Sequence, residues 1–248
     1  MTAAAVLRAL HHAPGAGGGP LVLPGPWDAT SARAFADAGF PALATPSAGV
    51  SASLGYADGE APAAEMFAAV ARIARAVDVP VSADVEDGYG LAPGELVGRL
   101  LEAGAAGCNL EDSDRRTGLL KEPAEQADFL AAVRAEAGAA LVVNARVDTF
   151  LKGDADPAPA IARGRLYAAA GADCLFPILA PPALLAGLGE AVGLPVNALA
   201  RPGGPGPREL GRLGAARVTF GGGLHARAAA GAAEMAAELA AGRWGGDA

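Results

Sequence analysis

Short β-branched and apolar runs alternate along the chain with longer Ala- and Leu-rich stretches whose apolar positions recur at helical spacing. Leu21–Leu23, Ala42–Thr45, Val81–Asp84, Gly107–Leu110, Leu141–Ala145, Cys174–Ile178, Val196–Leu199 and Val218–Phe220 read as strands. The helical stretches that follow are Ala29–Ala38, Ala63–Val77, Gly94–Ala103, Pro123–Ala137, Pro157–Ala170, Pro181–Ala191, Pro207–Leu213 and Leu224–Ala241. Proline opens several of them, where its missing N–H costs nothing. Gly39, Gly104, Gly171 and Gly214 each stand just past a helix, at the left-handed cap position before a tight turn into the next strand.

Eight such units predict an α/β chain closed into a (β/α)8 barrel. An open doubly wound sheet would bind a nucleotide at a Gly-rich first turn, and Pro24-Gly25-Pro26-Trp27 does not supply one. No linker divides the chain, so residues 1–248 read as one barrel domain. Within it, residues 1–20 form a short helix at about Ala3–His11 and a Gly-rich connection. That glycine run lacks a following Lys-Ser/Thr, so it is not a phosphate-binding loop.

Composition narrows the classes. Apolar residues make up 52% of 248, enough for a large core. The net charge of −8 argues against nucleic acid as a partner. The two cysteines, Cys108 and Cys174, fall in strands and read as small core residues, not a disulfide or zinc scaffold. No run approaches the roughly 18 apolar residues of a membrane span, and the start lacks a basic, long-apolar leader. A cytoplasmic protein with no membrane partner is expected.

Chemistry-bearing residues gather at the C-terminal ends of the strands, where barrel active sites lie. Asp84 and Glu86 share strand parity, and Glu111 ends the next strand. Three converging carboxylates raise one another's pKa unless a hard divalent cation joins them; a solvated acidic rim is the alternative. Arg146, in an apolar strand, requires a partner: Glu111 or Asp148 within the protein, or a substrate carboxylate or phosphonate held bidentately. Ser47-Ala48-Gly49 reads as a loop able to offer N–H groups to an oxyanion, or as a plain turn. His225 is either an acid/base group or incidental, and Trp27 either a lid or a stacking surface.

These residues resemble the isocitrate lyase/phosphoenolpyruvate mutase superfamily, in its phosphonomutase-like branch. The matching stretches are Trp27–Ala32, Ser53–Glu60, Asp84–Gly90, Asn109–Ser113, Asn144–Asp148 and Ala200–Gly203, in this order across nearly the whole chain. The resemblance implies a magnesium-dependent barrel, with Mn²⁺ able to substitute, that handles small dianionic 2-oxo or 2-hydroxy acids through an enolate-like intermediate. It implies Asp84 as the direct metal ligand, with Glu86 and Glu111 holding metal-bound waters. Arg146 becomes the substrate-anion binder, Ser47, Ala48 and Gly49 the substrate carboxylate loop, Asp58 an acid near the metal waters, and Asn197 a substrate-side residue. It also implies exchange of the last helix between subunits of a homodimer or homotetramer.

Two departures shape the expected reaction. The lyases' Lys-Lys-Cys-Gly-His loop is replaced by Asp114–Leu120, without Cys or His. The mutases' Lys after Glu-Asp is Ser113, and Gly25-Pro26 replaces an Asn-containing pair. The reading is therefore a magnesium-dependent lyase or decarboxylase cleaving a C–C bond. P–C bond chemistry of the phosphonomutase type and a catalytically silent metal-binding barrel are the alternatives. Candidate proton donors are a metal-bound water at Asp58 or Glu86, Tyr56 and His225, and the polar loop 112–122 is a candidate lid.

Overall fold

In a computed structural model, which describes residues 1–13 and 18–243, strands and helices alternate after an N-terminal helix α1 (Ala3–Leu10). The strands are β1 (Leu21–Val22), β2 (Leu43–Ala44), β3 (Val81–Asp84), β4 (Gly107–Glu111), β5 (Val142–Val147), β6 (Cys174–Pro177), β7 (Asn197–Leu199) and β8 (Arg217–Thr219). The helices after α1 are α2 (Ala29–Asp37), α3 (Ser47–Leu54), α4 (Ala63–Ala74), α5 (Pro93–Glu102), α6 (Pro123–Ala137), α7 (Pro157–Ala169), α8 (Leu185–Val192), α9 (Pro207–Arg212) and α10 (Gly223–Ala240). The Gly-rich connection read before β1 lies partly outside the described residues.

All strand pairs are parallel. One ladder runs β2-β3-β4-β5-β6 and a second runs β1-β8-β7. The two arcs meet at two thin seams. Leu175 bridges Val196 between β6 and β7, and Ala44 N–H donates to Pro24 O (3.1 Å) just after β1. The closed ring is the predicted (β/α)8 barrel.

Strand alternation separates two interiors. Cys108, Leu110, Val143, Ala145 and Val147 pack outward into the main apolar cluster with Leu96, Leu100, Leu130 and Tyr167 from the helices. Inside the barrel, Leu21, Leu23, Ala44 and Val142 form a smaller apolar floor closed from below by Leu7 of α1. Gly107 is required here, because a Cβ would lie 2.7 Å from Val142 O and 3.1 Å from Leu7. Above this floor the barrel lumen is polar: Ser82, Asn109, Asn144, Asn197, Arg217 and Thr219 are all buried.

The four expected helix-cap glycines all adopt positive φ. Gly214 is the most constrained, with φ 105° and a hypothetical Cβ only 2.5 Å from Ala186 Cα. Two expectations change. Pro181–Ala191 divides into a 3-10 turn (Pro182–Leu184), in which Leu184 N–H donates to Pro181 O and Leu185 N–H to Pro182 O, and α8. Ser47-Ala48-Gly49, read as a loop, opens helix α3 (Ser47–Leu54), ended by Gly55 at φ 89°.

Candidate active site

A cavity of about 300 Å³ opens at the C-terminal ends of the strands. Its polar lining comes from Thr45, Ser47, Asp58, Asp84, Asn109 and Arg146, on or after β2 to β5, and from Thr219 of β8. Its apolar lining comes from Leu151, Phe176, Ile178, Leu179 and Leu199, on or after β5, β6 and β7.

Asp84 ends β3 and is held from two sides. Ser47 donates to its Oδ2 from both N (3.3 Å) and Oγ (3.1 Å), and Glu86 N–H donates to its Oδ1 (3.3 Å). Burial raises its pKa, against the opposing pull of Arg146. Ser47 is therefore committed to Asp84 in the first turn of α3, not presented in an open loop. Ala48 lines the cavity; Gly49 is buried and does not, its α-carbon hydrogens facing Pro46 and His225 at distances a Cβ would close to 3.0 and 3.2 Å.

Glu86 follows Asp84 at φ 52°, a left-handed conformation uncommon for a non-glycine residue. It is 3% exposed. Its Oε2 pairs with Arg115 Nε at 3.2 Å, while Oε1 is buried without a partner. Burial pushes its pKa up to about 7; Arg115 opposes this, and Asp84, Asp58 and Asp87 add to it. Glu111 rises to about 8, by burial first, with Arg146 opposing and Asp148, Asp84 and Glu86 reinforcing.

Arg146 is paired inside the protein. Its NH1 contacts Glu111 Oε2 at 2.6 Å, and Nε and NH2 grip Asp148 at 2.7 and 3.2 Å. The β4–β5 register, which sets Glu111 opposite Arg146, makes this pairing unavoidable. Two of the five guanidinium N–H donors are hydrogen-bonded to Asp148, and the residue still lines the cavity. Asp148 is fully buried and fixed in turn by Ser113 Oγ (2.7 Å) and by its own N–H on Asp112 (2.8 Å). Asp112 accepts from Arg163 and Tyr167, tying the rim to α7.

The segment after β4 is a tight hairpin. Ser113 bridges Leu120, and Asp114 caps the turn by accepting from the N–H groups of Arg116 and Thr117. Arg115 anchors it: its N–H donates to Asp87 Oδ2 (3.1 Å), and its guanidinium donates to Gly59 O and Ala61 O and lies 5.2 Å over the Tyr89 ring. The expected lid is thus a short loop already pinned beside Glu86.

Other expected residues fall elsewhere. Asn197 is fully buried below the rim, where its Oδ1 accepts from Thr219 Oγ1 (3.2 Å); Thr219, not Asn197, reaches the cavity. His225 stacks edge-on against Trp27 (5.3 Å between centroids), and Tyr56 donates to Glu65 (2.6 Å); neither lines the cavity. Trp27 also packs edge-on against Phe35. Asp58 lines the cavity, and its carboxylate makes no hydrogen bond or ion pair among the described residues.

No three His, Cys, Asp or Glu side chains among the described residues are close enough to hold one ion directly. The donor set still fits a hard cation bound through one carboxylate and waters. It offers only oxygen atoms, Glu86 Oε1 is orphaned, and burial disfavours the charges of Asp84, Glu86 and Glu111 until a cation arrives.

A family model described as phosphoenolpyruvate phosphomutase matches residues 7–240. The chain belongs to this family. Within it, a Mycobacterium tuberculosis protein is 39% identical over 214 residues, covering 86% of this chain and 80% of the relative. A Burkholderia cenocepacia J2315 structure, provisionally named a phosphonomutase, is 42% identical with a TM-score of 0.87, covering 94% of this chain and 98% of its own. The structure of 2,3-dimethylmalate lyase, a member of the phosphoenolpyruvate mutase/isocitrate lyase superfamily, is 27% identical with a TM-score of 0.85, covering 100% and 91%. The family therefore holds lyases and mutases, and this member shares its enzyme fold.

Proposed function

We propose that this family member is a magnesium-dependent lyase that cleaves a C–C bond in a small 2-oxo or 2-hydroxy acid carrying an alkyl substituent. The observation that carries the reading is the two-sided cavity. A dianion is met by Arg146, and an alkyl group by Leu151, Phe176, Ile178 and Leu199.

Asp84 would hold the cation directly, with Glu86 and Glu111 holding its waters. When bound, the cation supplies charge stabilisation to the oxygen of an enolate. The remaining work falls to the chain. Ser47 keeps Asp84 oriented. Arg146, rigid between Glu111 and Asp148, offers N–H groups not bonded to Asp148 to a substrate carboxylate. The free carboxylate of Asp58 is placed to move a proton at its own oxygens. The pinned hairpin of Arg115 keeps Glu86 in place beside the cavity.

A homo-oligomer is part of the proposal. α10 has no buried residue and exposes Met235 and Leu239, as expected of a helix that packs on a second subunit.

A magnesium-supplemented screen of oxaloacetate, methylisocitrate, 2-alkylmalates and phosphonopyruvate, reading released 2-oxo acid, tests the reaction. Turnover of the alkyl-bearing substrates is expected. Turnover of phosphonopyruvate alone would replace this reading with the phosphonomutase one, and Mg²⁺ binding with no turnover of any would favour the silent barrel.

A further inference from the structure

We propose that Asn109 is a substrate-contacting residue, its amide N–H groups aimed into the cavity floor by the buried cation of Arg217. The inference deepens the proposed 2-oxo acid reading and rests on it. Asn109 lies in the middle of β4, with Asp84 opposite it on one side and Asn144 on the other. It is only 5% exposed, yet it lines the cavity. Its Oδ1 accepts from Asn144 Nδ2 at 2.7 Å and from Arg217 NH2 at 3.3 Å.

A guanidinium can only donate, so Arg217 settles which end of the amide faces it. The amide nitrogen must then point the other way. Asn109 Nδ2 has no hydrogen-bond partner among the described residues, and it is not among the sealed, partnerless polar atoms. It is a donor left open toward the cavity.

Arg217 is otherwise hard to account for. It is fully buried in the lumen and forms no ion pair with a carboxylate among the described residues. Its other contact is His11 Nε2, 3.4 Å from NH1. His11 Nδ1 lies 2.7 Å from Leu7 O and must donate to it, which leaves Nε2 as a neutral acceptor. A buried cation held by an amide and a neutral imidazole is destabilising compared with an apolar side chain of the same volume. What the charge does supply is a fixed, polarised Asn109. A donor backed by positive charge suits an oxygen that carries negative charge, such as the carboxylate or enolate oxygen of a 2-oxo acid.

Oxalate, a planar dianion shaped like that enolate, is the probe. Its affinity is measured by calorimetry with saturating Mg²⁺, alongside the side-chain ¹⁵N–H₂ resonances of the full chain. The Asn109 pair is assigned by its loss in Asn109→Ser. Oxalate should move that pair in the wild type, and Asn109→Ser should weaken oxalate roughly 10- to 100-fold with Mg²⁺ affinity unchanged. Arg217→Met should weaken oxalate, and Arg217→Lys should recover most of the loss. An unmoved resonance with unchanged affinity in Asn109→Ser overturns the inference alone. Arg217→Met that lowers the melting temperature without altering oxalate affinity reduces Arg217 to packing and overturns its positioning role. Wild-type protein that binds Mg²⁺ but no oxalate overturns the 2-oxo acid reading, and the inference with it. If Arg217→Met does not fold, the wild-type resonance and Asn109→Ser still decide.

Discussion

Metal-free protein should lose stability as pH rises from about 5 to 8, and Glu86→Gln should remove a defined part of that loss. Glu86 is 3% exposed and its folded-state pKa stands at about 7 against an ordinary 4.5. A carboxyl that binds its proton more tightly when folded favours the fold fully below 4.5. That advantage disappears as pH climbs through about 7. At 1.36 kcal/mol per pH unit, the gap amounts to about 3 kcal/mol. For a domain of this size that is about 6–12 °C in melting temperature. Glu111, raised to about 8, acts in the same direction over a slightly wider window. Gln in place of Glu86 keeps the shape and can still accept from Arg115, but cannot titrate. Differential scanning calorimetry in chelator, at half-unit steps from pH 5 to 8.5, should show a falling wild-type curve and a shallower one for Glu86→Gln. The variant should be the more stable protein at pH 8. Saturating Mg²⁺ should flatten the wild-type curve. Parallel curves for the two proteins, or a wild-type melting temperature that rises over this range, would refute the assignment of a buried, destabilising charge to Glu86.

Asp84→Asn should abolish measurable Mg²⁺ binding in calorimetry and all turnover while leaving the melting temperature within a few degrees of wild type. Arg146→Ala strands Asp148, which is fully buried, and should cost about 3–5 kcal/mol of stability. Arg146→Lys should mainly raise KM, and unaltered kinetics in Lys with a collapsed melting temperature would make Arg146 scaffolding only. Gly214→Ala forces a side chain into Ala186 at φ 105° and should lower stability by about 2 kcal/mol or more by denaturant melts, whereas Gly98→Ala, on an open helix face, should not. Light scattering at micromolar concentration should give a mass at least twice that of the 24.3 kDa chain.

The barrel was legible because each strand and helix declares itself locally. Val81–Asp84 and Pro123–Ala137 match the sequence reading residue for residue, bounded by proline and glycine whose effects need no distant partner. α3 was not legible, because Ser47-Ala48-Gly49-Val50-Ser51-Ala52-Ser53-Leu54 has small residues on every face and shows no helical stripe. Among the site residues, Asp58, Asp84 and Arg146 do reach one cavity. Depth in the barrel is what strand parity leaves open. Asn197 points the same way as Leu199 but sits two residues, about 6.6 Å, further down, and so holds Thr219 instead of lining the cavity. Arg115 was missed because its partners, Gly59, Ala61, Glu86 and Asp87, belong to two other loops. Asn109 and Arg217 were missed as a pair because their contact spans 108 residues of chain.

The strand order also dictates a timetable for synthesis. β1 finds its ladder partner only in β8, where Leu21 pairs with Arg217, whereas β2 to β6 pair with sequence neighbours. On a ribosome the five-stranded arc can form as it emerges, but β1 must wait for about 200 further residues, on the order of 10–40 s at ordinary elongation rates. During that interval Leu21 and Leu23, both buried in the finished barrel, have only the thin seam to β2 and no ladder partner to cover them. Slowing translation should lengthen this exposure, and a circular permutant that begins at β2 and places β1 directly after β8 should remove it.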